Sequence, residues 1–322
     1  MLKTSKITNA ILGVAIGDAV GVPYEFSTRA QMQHKPARGL IGYGTHNQPP
    51  GTWSDDTSLT LCLAESLING YDLIDISKRF LKWKNDAYWT ARGEVFDIGL
   101  TTAEAIKRLE RIVDDNDRKE LISLKYSADE CDNGNGSLMR IVPLLAYVLS
   151  KPIKEQFEVI WNVSAFTHRH IRSSMSCLIY LKLLEGLYLG ENKERAYEKS
   201  RKTVAQFWDQ MSFAKSERAH FGNVIQRDVR VLQSSELKSG GYVIEVLESS
   251  INQFLTCHSY EETVLSMINL GHDTDTSAAI AGGLAGMYYG LEGIPEYWLV
   301  SIARMEDIIA VGNKLGEKYS LE

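Results

Sequence analysis

The run "SAAIAGGLAGMYYG", Ser277 to Gly290, constrains this chain more than any other stretch. At helical spacing it presents Ala and Gly on nearly every side, so neighbouring elements can approach it closely. A helix with so little bulk belongs at the centre of a fold, and the segment leading into it goes there too. That segment is "GHDTDT", in which Asp273, Thr274, Asp275 and Thr276 are consecutive. Buried, unpaired carboxylates are costly, so an acidic loop at a domain centre needs something to balance its charge.

A second cluster of the same kind stands far upstream in "WSDDTSLTLCLAESL", where Ser54, Asp55 and Asp56 precede a helical pattern. Asp, Ser and Thr are favoured helix N-caps, and carboxylates suit the helix dipole, so capping accounts for one residue of each cluster. Only one residue can be an N-cap, which leaves the second Asp of each cluster unexplained. In an extended lead-in, side chains alternate, which would turn Asp273 and Asp275 to one side. Thr276 would then open the helix with its hydroxyl in the same space. If the clusters meet, two divalent ions would balance the four Asp charges. Oxygen-only ligands suit hard cations, so Mg²⁺ or Mn²⁺ is preferred over zinc or copper. One rival reading keeps the clusters apart, each capping its own helix. Another makes His272-Asp273 the dyad of a His/Asp-type metal phosphohydrolase. Alternation turns His272 away from both aspartates, and the remaining histidines have no matching spacing.

Helical patterning dominates the rest. "TSLTLCLAESLING" places Leu59, Cys62, Leu63 and Leu67 on one face and stops at Asn69-Gly70. "TTAEAIKRLERIVDD", "IRSSMSCLIYLKLLEGLYLG", "SYEETVLSMINLG" and "PEYWLVSIARMEDIIAVGNKL" also read as helices, and no alternating strand series is evident. The expectation is an all-α fold, one compact helical domain over 1–322, with chemistry on the loops. An apolar fraction of 44% and a charged fraction of 24% fit a soluble globule with ample core. The net charge of −6 disfavours a nucleic-acid backbone as partner. Three cysteines (Cys62, Cys177 and Cys257) lie in or beside apolar runs, Cys131 does not, and none has metal-ligand spacing. Buried thiols in a reducing cytoplasm follow. The N-terminus lacks the pattern of a signal peptide, and the apolar piece "IVPLLAYVL" is too short to span a bilayer.

The irregular pieces supply further candidates. In "CDNGNGSLMRIVPL", alternating Asn and Gly favour positive φ, and such turns can aim backbone N–H groups at an anion. A helix start at Ser137-Leu138 would add a phosphate site; a plain tight turn explains the same pattern. Asp97, in "FDIGLTT", could meet sugar hydroxyls or cap a helix. Glu25 follows Pro23 and is either an acid over the metals or a solvated charge. Of His168 and His170, one at most would face a site. Tyr242 could stack on a base or anchor a helix.

Taken together, "GVAIGDAVGVPYEF", "WSDDTSLTLCLAESL", "FDIGLTT", "NGNGSLMRIVPL", "THRHI", "SGGYVIEVLESSI" and "LGHDTDTSAAIAGGLAGMYYG" resemble, in order, the motifs of the ADP-ribosylglycohydrolase family. The resemblance runs from about Ile7 to about Gly312. It implies an all-α orthogonal helical domain with a two-metal centre in a central cleft. Ser54, Asp55, Asp56, Asp273, Asp275 and Thr276 would be the metal ligands, and Glu25, Asp56 and Asp273 would carry catalysis. Asp97, Gly99, the loop Asn133, Gly134, Asn135, Gly136 and Ser137, His168 and Tyr242 would line the ADP-ribose pocket. Two positions depart from the family: Ser54 stands where many members have Thr, and His272 where acidic or small residues are common. The implied activity is removal of ADP-ribose from modified protein side chains, arginine linkage first, with two Mg²⁺ or Mn²⁺; a cytoplasmic monomer is the default expectation beside it. The alternative is a non-catalytic ADP-ribose binder or immunity protein that blocks an ADP-ribosyltransferase.

Overall fold

The small-residue run finds its partner in the first helix. In the computed structural model, which describes residues 4–321, Lys6–Gly21 packs along Thr274–Tyr289, and nearly every residue of both helices is buried. Glycine permits this approach. A Cβ on Gly13 would lie 2.3 Å from the carbonyl oxygen of Gly282, and one on Gly17 2.2 Å from that of Ala278. Backbone carbonyls in the crowded centre find phenols: Tyr260 donates to Gly13 at 2.7 Å and Tyr180 to Ile280 at 2.8 Å.

The other helices wrap this pair and share one hydrophobic cluster with it, from Ile7 to Leu321. Asp55–Asn69 begins at Ser54 and ends at Gly70 with φ +114°, as the Asn-Gly signal predicts. Leu100–Asp114, Ile171–Tyr188 and Tyr260–Ile268 also form where the periodicity places them. The C-terminal pattern splits into Glu296–Ser301 and Met305–Lys318. At the break Arg304 takes φ +53°, and its guanidinium lies over the Trp89 ring and donates to the Thr90 carbonyl at 3.0 Å.

Among the described residues, β pairing is limited to two isolated bridges, Tyr43 with Gln48 and Gly134 with Tyr242. Cys62, Cys177 and Cys257 are buried and Cys131 exposed, all four free. Lys6–Tyr24 is long and apolar enough to cross a membrane, and longer than the run "IVPLLAYVL". Of its apolar window, 89% is buried inside the protein. Its hydropathy therefore answers to the helix pairing at the core.

Candidate active site

The two acidic clusters meet. The Thr276 hydroxyl donates to both carboxylate oxygens of Asp56, at 3.1 and 3.3 Å, across 220 residues of sequence. Ser54 is the N-cap of its helix, its hydroxyl accepting from the Asp56 N–H and lying 3.3 Å from the Asp56 carboxylate. Asp55 and Asp56 form the first turn. On the other side the helix starts at Thr274, so Asp275 and Thr276 stand in its first turn. This corrects the expected extended alternation: a helical start brings Asp273 and Asp275 together. Asp273 holds the N-cap position without capping, and its carboxylate accepts from Asn135 Nδ2 at 2.7 Å. Two helix N-termini thus face one space, where their dipoles favour negative charge.

A fifth acid joins them from the first helix. Asp18 is fully buried and accepts from the Ser54 N–H at 2.9 Å, the Thr57 N–H at 3.0 Å and the Thr57 hydroxyl at 2.6 Å. Sequence reasoning passed over it. Its signal was a lone carboxylate in a Gly- and Ala-rich apolar helix.

Burial dominates the electrostatics of these acids. Burial first, and neighbouring carboxylates second, push Asp55, Asp56 and Asp275 well above the usual carboxylate range. Burial also raises Asp273, and lifts Asp18 to about 6 against its hydrogen bonds from Thr57 and Ser54. Both carboxylate oxygens of Asp275 are buried with no hydrogen-bond partner in the protein. Natural proteins rarely leave such atoms orphaned unless an ion or water satisfies them. Asp18, Asp56 and Asp275 offer ligand atoms within 4.8 Å of one another, and so do Glu25, Asp273 and Asp275. Asp275 belongs to both sets, so one carboxylate lies between two potential cation positions. Hard divalent cations fit this all-oxygen chemistry. The hydroxyls of Ser54 and Thr276 orient Asp56, and Asp55 lines the cleft.

Glu25 overhangs this centre. The chain turns through a short 3-10 segment, Val22–Tyr24, and Glu25 is only 5% exposed. Burial lifts its carboxyl to about 7, and the charges of Asp97 and Asp273 act in the same direction. The opposing influence is His46, whose Nε2 makes a short hydrogen bond to Glu25 Oε2 and lies 3.9 Å from Asp97 Oδ1. That bond in turn raises the His46 pKa. His46 was not anticipated, because "GYGTHNQPPG" carries no pattern that marks it.

A cleft of about 240 Å³ opens on this centre, lined by Glu25, Asp55, Asp97, Gly99, Gly134, Asn135, Gly136, His168, Asp273 and Thr276. Most of the expected pocket residues are therefore gathered there; Ser137, Asn133 and Tyr242 are not in its lining. Ser137 is fully buried beneath the floor, its hydroxyl accepting from Ser164 at 2.9 Å. No helix starts at it: Asn135–Ser137 is a single 3-10 turn, and the α-helix begins only at Leu144. Pro143 disfavours a helical residue before it, which accounts for the delay. Asn133 and Tyr242 lie outside the lining. The Val243 N–H donates to the Asn133 carbonyl, and Tyr242 pairs with Gly134 through the backbone. No positive φ occurs from Asn133 to Ser137. The glycines serve space instead: a Cβ on Gly136 would lie 2.5 Å from His168 Cε1. His168 is buried, and that burial drops its pKa to about 3, so it is a neutral ring at the cleft wall.

His272 pairs with the Glu25 turn through its backbone, donating to the Ser27 carbonyl and accepting from the Phe26 N–H, both at 2.7 Å. Its side chain is exposed, and it belongs to none of the three potential metal-binding groups among the described residues. A larger hollow of about 990 Å³ adjoins the turn, lined by Tyr24, Lys35, Arg38 and Trp298, with Glu261 its one carboxylate. It shares none of the acids described above.

Comparison with known proteins agrees with this geometry. The family profile described as ADP-ribosylglycohydrolase matches residues 2–322. The chain is 28% identical over 328 residues to an ADP-ribosylarginine hydrolase, Tri1, of Serratia proteamaculans, covering 96% of this chain and 78% of that one. It is 27% identical over 294 residues to the ADP-ribosyl-[dinitrogen reductase] glycohydrolase of Rhodospirillum rubrum, covering 90% and 87%. A solved structure, an ADP-ribosylglycohydrolase-related protein complex, superimposes with a TM-score of 0.79 at 28% identity, covering 98% of both chains. The chain belongs to the ADP-ribosylglycohydrolase family.

Proposed function

We propose that this protein is a metal-dependent hydrolase that removes ADP-ribose from modified protein side chains, with the arginine linkage as its first substrate. The observation that carries the reading is the buried Asp275 carboxylate, without a hydrogen bond and common to two groups of acids. The hydrolases named for arginine and dinitrogen reductase substrates, similar over nine-tenths or more of the chain, support the linkage and the protein target.

In this reading Asp18, Asp56, Asp273 and Asp275 hold two Mg²⁺ or Mn²⁺, with Asp55, Ser54 and Thr276 around them. When bound, the ions supply positive charge that binds ribose hydroxyls and organises water for attack at the anomeric carbon. The chain's own part is positioning and proton transfer. Asn135 fixes the Asp273 carboxylate, and Thr276 and Ser54 fix that of Asp56. Glu25, lifted to about 7 by burial, can accept a proton from the attacking water near neutral pH and return it to the leaving group. Asp97 and the 134–136 backbone form the wall against the sugar and phosphates, and His168, neutral, adds no charge there. The reading takes residues 1–322 as one working unit, monomeric and cytoplasmic, in keeping with its four free thiols.

The variants Asp56→Asn and Asp273→Asn test it. Each should lose turnover of ADP-ribosylarginine by more than about 100-fold while its circular dichroism spectrum stays that of the wild type. Retained activity in either purified variant at saturating Mg²⁺ would remove that residue from the centre.

A further inference from the structure

We propose that His46 is a positioning residue that holds the Glu25 carboxylate in its working orientation; this rests on the hydrolase reading above. The loop that carries His46 is fastened to the Glu25 turn at several points. Tyr43 and Gln48 close its base through a backbone bridge, and the Thr45 hydroxyl donates to the Glu25 carbonyl at 2.7 Å. Gly44 takes φ +51°, and a Cβ there would lie 2.1 Å from the Pro23 carbonyl oxygen, so the loop fits flush against the turn. The imidazole itself sits between two phenyl rings, with centroids 6.0 Å from Phe26 and 5.3 Å from Phe96.

His46 Nε2 meets Glu25 Oε2 and lies 3.9 Å from Asp97 Oδ1, so two carboxylates facing one nitrogen favour hydrogen on Nε2, which an ionised Glu25 then accepts. Among the described residues no hydrogen bond engages Glu25 Oε1, which leaves that oxygen for water or a sugar hydroxyl. A glutamate side chain has three torsions and two equivalent oxygens. Fixing one oxygen selects which lone pairs face the cleft, and positioning of this kind acts on the reaction step more than on binding. The bland alternative is that His46 only fills space between Phe26 and Phe96.

Three variants separate the two. His46→Phe keeps a ring between Phe26 and Phe96 but has no donor. His46→Gln places an amide N–H near the position of Nε2. His46→Ala removes both. With an ADP-ribosylarginine substrate, His46→Phe and His46→Ala should lower kcat about 10- to 100-fold, a part of the roughly 10²- to 10⁴-fold that a positioned acid or base contributes. KM and the calorimetric Kd for ADP-ribose should stay within about two-fold. His46→Gln should recover most of kcat, and His46→Phe in a Glu25→Gln background should cost little more. Full kcat in His46→Phe, a loss that appears in KM alone, or no rescue by Gln would overturn the proposal. A ¹H–¹⁵N spectrum of the imidazoles tests the contact without turnover. The His46 Nε2–H resonance should move in Glu25→Gln, and an unmoved resonance would overturn the proposal. A wild-type protein that releases no ADP-ribose yet shows the shift would instead refute the hydrolase reading.

Discussion

Replacing Asp275 with Asn should make the metal-free protein more stable and the metal-loaded protein less responsive. Without cations, both Asp275 carboxylate oxygens are buried and unpartnered. An unsatisfied buried polar group costs about 1–3 kcal/mol, and more when charged. Asn keeps two polar atoms but removes the charge, so the expected gain in excess EDTA is about 1–3 kcal/mol. At roughly 2.1 cal/mol/K per residue, unfolding this chain carries about 0.7 kcal/mol/K, which converts the gain to about 1–4 °C in Tm. Cations act oppositely on the wild type: at a hundredfold excess over Kd each site contributes about 2.7 kcal/mol, or about 4 °C. Asp275→Asn should lose most of that shift, because the carboxylate belongs to both groups of acids. The sign extends to pH. Burial raises Asp18 to about 6 and Glu25 to about 7 in the folded state, above their unfolded values. Their stabilising contribution is complete below the ordinary carboxylate range and is lost as pH rises through 6 to 7. Metal-free protein should therefore melt lower at pH 8 than at pH 5, by less in Asp275→Asn than in wild type. The assay is a thermal melt in EDTA and in Mg²⁺ at both pH values. Destabilisation of Asp275→Asn in EDTA, or a full Mg²⁺ shift in the variant, would refute the reasoning.

Three further outcomes follow from the packing. Gly13→Ala places a methyl 2.3 Å from the Gly282 carbonyl oxygen, where only backbone movement makes room, so it should cost about 3 kcal/mol or more and lower Tm by about 4 °C. Gly136→Ala drives a methyl against the His168 ring at 2.5 Å, and should weaken ADP-ribose binding about tenfold in calorimetry with a smaller effect on Tm. Ser137→Ala, beneath the floor of the cleft, should leave the ADP-ribose Kd within about two-fold and cost about 1 kcal/mol in a denaturant melt.

Much of this architecture was legible because it depends on local pattern. The Asp55 helix has its apolar face and its Asn-Gly stop within a single stretch, and the small-residue run announces a close crossing before its partner is known. The pairing of Asp56 with Asp275 was legible as a charge problem, since capping explains only one residue per cluster. What could not be read depends on distant backbone. Asp18 reaches the centre only because the first helix crosses the Thr274 helix at Gly13 and Gly17. His46 reaches Glu25 only because Gly44 lets one loop lie flush against another. The Ser137 expectation failed for a local reason that was in view: Pro143, a few residues on, delays the helix whose N-terminus was to hold phosphate. Asn and Gly in that loop suggested positive φ, whereas the neighbouring His168 ring was the actual demand for glycine.

The most direct measurement is release of ADP-ribose by the purified protein from arginine-, serine- and acetyl-linked substrates, each in Mg²⁺, Mn²⁺ or excess EDTA. The account predicts release from the arginine-linked substrate with either metal and none in EDTA, restored when metal is returned. Release that continues undiminished in EDTA, or no release from any of the three substrates with metal present, would contradict it.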